Sequence, residues 1–271
     1  MSDSSKRARR PIGVFDSGLG GLTVFKALRV RMPEEDLIYF GDTAHLPYGN
    51  KTQETVTRYS LEVARYLAGL RIKAMVVACN TASALALKSV QRALPVPVLG
   101  VIAPGSRAAA AATRNGRVGV IGTEATIASG AYTRALKRVL PGVKVCDQAC
   151  PLFVPLVETG WWRHPVTEAV AKEYLGPLKK SGIDTLILGC THYPLLKPVL
   201  ARQAGPAIQL IDSAEETARE TEDLLESLRL RRSGGKGASR FFVSDGPERF
   251  LGFARRLLGP AVRSVGVRRI E

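Results

Sequence analysis

The sequence predicts an α/β protein of two similar, pseudo-symmetric domains. Each is a mainly parallel sheet flanked by helices, with the active site in the cleft between them. Three observations carry that expectation. Short apolar runs alternate with helix-forming stretches along nearly the whole chain, the pattern of parallel sheet covered by helices. Four of the strand-like runs recur at an almost constant offset. Two cysteines, Cys79 and Cys190, close equivalent runs in the two halves.

The strand-like runs are residues 12–15, 37–40, 74–77, 98–101, 118–121, 143–146, 185–188, 208–211 and 241–243. Between them, residues 21–31, 52–70, 82–92, 107–113, 127–139, 166–179, 194–202, 214–228 and 247–258 read as helices. The duplication is arithmetic. Gly13-Val14-Phe15-Asp16-Ser17 resembles Gly119-Val120-Ile121-Gly122-Thr123 at an offset of 106, and the run at 37 matches that at 144 at an offset of 107. Cys79 matches Cys190 at 111, and the run at 99 matches that at 209 at 110, less clearly. From Ala214 onward the chain has no counterpart, so it packs back on the first half. The expected domains are residues 1–97 plus 213–271, and 98–212, with crossovers near 95–97 and around Asp212. Residues 231–239, rich in Gly, Ser and Arg, read as an exposed loop.

A length of 271 residues with 45% hydrophobic content is enough to build one large or two ordinary cores. No segment approaches the roughly 18 continuous apolar residues of a membrane span. Residues 1–10 are polar and basic with no apolar core, which excludes a secretory signal; they read as a disordered extension. The cytoplasm is the expected compartment, with four cysteines kept as reduced thiols. The net charge of +15 admits nucleic-acid binding or an anionic substrate. Clusters lie at 6–10, 229–232 and 268–269, without interleaved aromatics or finger spacing. Solvated basic faces are the preferred reading, and nucleic acid is not an expected partner.

Both cysteines fall between a strand end and a helix start, in Ala78-Cys79-Asn80-Thr81 and Gly189-Cys190-Thr191-His192. Open α/β sheets bind ligands there, and the helix dipole lowers a thiol's pKa there. One such thiol suggests a nucleophile. Two in related halves suggest a pair of acid–base groups flanking one substrate.

Asp16-Ser17-Gly18 closes the first strand, and Gly20-Gly21 lets backbone approach a ligand. A carboxylate and hydroxyl there either hold a substrate or merely cap the helix. The glycine spacing is not the dinucleotide fingerprint, and no Walker loop is present. Pro47-Tyr48-Gly49-Asn50 reads as a turn presenting a phenol and backbone amides. Glu158 ends an apolar stretch, where a carboxylate's pKa tends to rise; a surface Glu closing a short helix reads equally well. His192 can serve the Cys190 thiol or cap its helix. His45 and His164 have nothing specific in their favour. Cys146 and Cys150 lack a second pair or a His at zinc spacing, so no metal is expected.

Taken together, these motifs resemble the glutamate racemases of the cofactor-independent aspartate/glutamate racemase superfamily. The resemblance runs from about Pro11 to Glu226. It rests on residues 13–21, Tyr39-Phe40-Gly41-Asp42-Thr43, Pro47-Tyr48-Gly49, Ala78-Cys79-Asn80-Thr81-Ala82, Leu156-Val157-Glu158 and Gly189-Cys190-Thr191-His192-Tyr193-Pro194. Thr159 is a mild departure, since an acid is commoner there. The resemblance implies that Cys79 and Cys190 exchange the α-proton on opposite faces, without a cofactor. It implies that Asp16, His192 and Glu158 assist them. Asp16, Ser17, Tyr48, Gly49, Asn80, Thr81, Thr191 and His192 would then hold glutamate. Its product, D-glutamate, is a building block of bacterial peptidoglycan. A homodimer is expected. The alternatives are a superfamily relative acting on aspartate, hydantoin or arylmalonate, and a secondary nucleic-acid role for the basic surface.

Overall fold

The computed structural model describes residues 3–270. The first half runs α1 (Asp3–Ala8), β1 (Ile12–Asp16), α2 (Leu22–Arg31), β2 (Leu37–Gly41), α3 (Gln53–Gly69), β3 (Ala74–Val77), α4 (Asn80–Leu85), α5 (Leu87–Ala93) and β4 (Val98–Gly100). The second runs α6 (Ile102–Ala112), β5 (Arg117–Gly122), α7 (Glu124–Ala128), α8 (Ala131–Val139), β6 (Lys144–Ala149), α9 (Phe153–Glu158), α10 (Pro165–Lys180), β7 (Thr185–Gly189), a 3-10 turn (Tyr193–Leu196), α11 (Lys197–Ala204) and β8 (Gln209–Asp212). The tail adds α12 (Ser213–Ser227), β9 (Ser239–Val243), α13 (Pro247–Leu258) and β10 (Gly266–Val267).

The two sheets repeat one topology. Strands β2-β1-β3-β4 stand in that order in the first, and β6-β5-β7-β8 in the second, every pairing parallel. These are the strands matched by the offsets of 106 to 111. The tail lengthens the first sheet beyond β2 with β9 and β10. The central strands β1, β2, β3 and β7 are buried at every residue, as sheet covered on both faces requires. One apolar cluster runs through both halves, from Ile12 and Phe25 to Phe153, Leu188 and Phe250. No helix among the described residues is long and apolar enough to cross a membrane.

Local chemistry sets the helix starts. Thr52, Thr123 and Asp212 cap α3, α7 and α12 by accepting backbone N–H groups of Thr55, Thr126 and Ala214. The helix expected over 127–139 is two helices, because Gly130 takes a left-handed φ of 62° between α7 and α8. The helix expected over 82–92 breaks at Ala86, whose φ is −120°. Helix α6 begins five residues before the expected start, since Pro104 falls in its first turn, where a missing N–H costs nothing. Helix α9 and the two-residue β10 are additional.

Two boundary expectations are corrected. Residues 98–100 pair with β3, so they belong to the first sheet and the crossover falls at Val101 rather than near 97. Residues 3–8 are helical instead of disordered. The Ala8 carbonyl accepts from Lys73 Nζ at 2.6 Å, and Lys6 and Arg7 complement the helix dipole. The same expectation for Met1 and Ser2 lies outside the described residues. Lys73 is buried and also donates to Glu35 Oε2 at 2.5 Å and to the Leu230 carbonyl at 2.8 Å. All three ammonium donors are thereby used.

Candidate active site

The carboxyl ends of the central strands of both sheets converge on one narrow cavity. Ser17, Tyr48, Gly49, Cys79, Asn80, Thr81, Glu158, Cys190, Thr191 and His192 all line it. Of the site residues that the resemblance implies, Asp16 alone does not line it.

Cys79 follows β3 as the N-cap of α4. Its sulfur accepts from the Ala82 N–H at 3.4 Å, and its thiol donates to Ser17 Oγ at 3.4 Å. The helix terminus alone would depress the thiol. Burial instead pushes it up to about 12, with the Asp16 carboxylate adding to the rise and Ser17 and Ala82 opposing it. Desolvation of a thiolate outweighs two weak hydrogen bonds. Cys79 is therefore a thiol at neutral pH in the unliganded protein.

Asp16 is fully buried at the end of β1 and accepts from the Gly18 N–H at 2.9 Å and the Thr191 hydroxyl at 3.4 Å. Burial raises its pKa against the opposing charge of His192. The glycines beside it are steric requirements. A Cβ on Gly21 would lie 2.4 Å from Asp16 Cβ, and one on Gly20 would lie 2.4 Å from His192 Nδ1 and Thr191 Oγ1. The loop after β1 thus brings the two halves into contact at the site.

Cys190 follows β7 at a bend before the 3-10 turn, not at the expected helix start, and faces a different set of groups. Nδ1 of His192 lies 3.8 Å from its sulfur, and Nε2 donates to Glu158 Oε1 at 3.0 Å. Burial lowers the histidine's pKa, but Cys190 and Glu158 overcome this and raise it to about 10. Glu158 itself is lowered: burial would raise it, but His192 and Arg249 prevail. The rise expected from its apolar sequence neighbours fails because an imidazolium and a guanidinium reach it. Arg249 Nη2 donates to Glu158 Oε2 at 2.6 Å.

Other expected contacts are taken within the protein. The Tyr48 hydroxyl, expected to face a ligand, donates to Asp42 Oδ2 at 2.6 Å, and that carboxylate also accepts from Ser244 at 2.8 Å. Asn80 Oδ1 accepts from the Tyr132 hydroxyl at 2.6 Å. Thr81, Thr123 and Thr126 join their hydroxyls at 2.9 to 3.1 Å across the two halves. Thr123, on the cavity wall, was not foreseen, yet its offset of 106 from Ser17 makes it the counterpart of that residue. Nothing in the local sequence marks Asp42 as an anchor or Arg249 as a partner of Glu158.

The Asp/Glu/Hydantoin racemase family matches residues 23–221 of this chain. A glutamate racemase from Geobacter metallireducens is 55% identical over 92% of this chain and 93% of its own length. The chain belongs to the glutamate racemases of that family. Its fold agrees with solved glutamate racemases. One isoform from Bacillus anthracis superposes with a TM-score of 0.92 at 40% identity, over 97% of this chain and 98% of its own. Another, from Francisella tularensis and solved with D-glutamate, gives 0.90 at 38% over 96% and 98%. This racemase, an isomerase, thus carries two thiols from its two similar halves in the lining of one cavity.

Proposed function

We propose that this racemase interconverts L- and D-glutamate by proton transfer between Cys79, Cys190 and the α-carbon. The observation that carries this reading is the pair of thiols from equivalent strand ends lining one cavity, each with its own polar support. In the L-to-D direction the Cys190 thiolate, beside the His192 imidazolium, removes the α-proton. The Cys79 thiol then protonates the opposite face. The enzyme is left with a Cys190 thiol and a Cys79 thiolate, the form that accepts D-glutamate. The substrate's ammonium offsets the carboxylate of Asp16, which otherwise disfavours the Cys79 thiolate.

Backbone N–H groups of the turns after β1 and β7 and of the helix starts after β3 and β5 receive the substrate's carboxylates and the developing carbanion. Ser17, Asn80, Thr81 and Thr191 hold the amino acid, with the Gly49 backbone; Tyr48 shapes the wall and Asp16 acts from behind it. Such a site calls for no cofactor. We take residues up to 101 and from 213 onward as one domain and 102–212 as the other. The protein works in the cytoplasm as a homodimer, supplying D-glutamate for peptidoglycan.

The test is a circular-dichroism assay with L- or D-glutamate and no added cofactor, with L-aspartate in parallel. Glutamate should racemise in both directions and aspartate should not. Cys79→Ala and Cys190→Ala should each lower kcat/KM by at least about 10³-fold, the upper part of the range for general acid–base catalysis. Near-wild-type turnover by either variant would sink the two-base mechanism.

A further inference from the structure

The unduplicated helix α13 packs in the first half but reaches the second with three side chains. Phe250 is fully buried against Tyr39 of β2 and Phe241 of β9, with ring centroids 5.6 and 6.1 Å away. Arg249, Phe253 and Arg256, at the spacing of one helical face, meet the segment that carries Glu158. Arg249 donates to Glu158 Oε2 at 2.6 Å. The Phe253 ring stands edge-on to Trp162 at 6.3 Å, and Arg256 lies over that indole at 5.5 Å. Trp162 Nε1 donates to the Val157 carbonyl at 2.7 Å, next to Glu158. A Cβ on Gly160 would come within 2.7 Å of Arg256 Nη1. The tail of the chain therefore grips the segment bearing the site's one carboxylate on the Cys190 side.

We infer that Arg249 is a positioning residue for the Cys190 half of the reaction: it holds Glu158 so that Glu158 holds the His192 ring against the Cys190 sulfur. The inference rests on the reading of Cys190 as one of the two acid–base groups. Each Glu158 oxygen has its own partner, Oε1 with His192 and Oε2 with Arg249. Without the guanidinium, Oε2 is best satisfied by water at the cavity mouth. Turning toward it pulls Oε1 off the imidazolium. His192 faces Cys190, Glu158 and, across Thr191, Asp16; Arg249 acts on it through Glu158. The guanidinium is 60% exposed while the carboxylate is 9% exposed, so the effect is smaller than that of a fully buried pair. Arg249 touches no reacting atom.

The experiment compares Arg249→Ala, Arg249→Lys and Cys190→Ala using L- and D-glutamate with hydrogen or deuterium at the α-carbon. For Arg249→Ala, kcat/KM should fall about three- to tenfold, the scale of a partly exposed ion pair. Proton removal by Cys190 becomes more rate-limiting, so the deuterium isotope effect on kcat/KM should rise for L-glutamate and fall for D-glutamate. The alkaline decline of kcat/KM should move to lower pH, because His192 loses the carboxylate that holds its proton. Arg249→Lys should restore most of each change. If Cys190→Ala retains turnover, the two-base reading itself fails. With Cys190→Ala inactive, unchanged isotope effects and pH profile in Arg249→Ala overturn the positioning role, even if the melting temperature drops. A loss confined to KM and abolished by salt also overturns it, since that is steering of an anionic substrate.

Discussion

Cys79 and Cys190 occupy the same position in two copies of one structural unit, yet their surroundings have little in common. Around Cys79 stand a hydroxyl, a backbone N–H and a fully buried carboxylate, and the thiol is pushed up to about 12. Around Cys190 stands a chain of alternating charge, from the imidazole of His192 through Glu158 to the guanidinium of Arg249. Strand and helix placement is therefore not what gives the Cys79 sulfur its character. Only Cys79 caps an α-helix, since a 3-10 turn begins three residues after Cys190, and burial still overrides that advantage at Cys79. The duplication supplied two thiols facing one cavity. The neighbours differ: a buried carboxylate stands near one thiol and an imidazole beside the other.

Removing the support on each side in turn is the strongest way to break this comparison. His192→Asn and Asp16→Asn should each lower kcat/KM by about 10²-fold, the lower end for a group assisting proton transfer. Because L- and D-glutamate have equal free energy, kcat/KM must fall equally in both directions. The asymmetry appears in the isotope effects. His192→Asn should raise the deuterium effect for L-glutamate and lower it for D-glutamate, and Asp16→Asn should do the reverse. Matching changes in the two variants would mean that the two sides are not separable.

Stability sharpens the same contrast. In the folded protein His192 holds its proton up to about pH 10, against about 6.5 in an unfolded chain. A raised value means that its contribution is fully present below about pH 6.5 and is lost as pH rises through 10. Urea midpoints should decline between pH 7 and 10 in the wild type and decline less in His192→Asn. Identical slopes would show a neutral imidazole in the folded state.

The smallest effect is expected far from both thiols. Deleting residues 1–10 removes α1 and the Ala8 carbonyl from Lys73, at the opposite end of β1 from the site. Loss of one hydrogen bond to a buried ammonium should lower stability by about 1 kcal/mol, read as a lower melting temperature, with kcat/KM unchanged. A severalfold loss of kcat would mean that this end of the chain communicates with the cavity.

Much of this was legible in the chain because parallel strands buried on both faces must be short apolar runs, and nearly every such run became a strand. The offsets of 106 to 111 survived as one repeated topology because sheet order follows from the connections, and these were duplicated with the strands. Cys79, Cys190 and Thr123 were reachable in the same way, as residues immediately after matched strands. Local signals also set most helix starts, since a capping hydroxyl or a proline in the first turn acts on the backbone beside it. The exceptions were interruptions within helices, at Ala86 and Gly130, where a single residue's backbone angles decide.

What only the tertiary structure decided concerns groups that meet across long stretches of sequence. Glu158 sits among apolar neighbours in the chain and beside His192 and Arg249 in space, which reverses the direction of its pKa. Cys79 looks activated by its helix, yet burial and Asp16 raise it. Tyr48 reads as a free phenol, but Asp42 engages it. The first residues read as an unanchored tail because Lys73, which donates to the Ala8 carbonyl, lies more than sixty residues away. Secondary structure is governed mainly by near neighbours, so the sequence alone determined the fold and the two thiols. Desolvation and charge pairing depend on every atom within a few ångströms, so protonation and support at the site were decided by the folded whole.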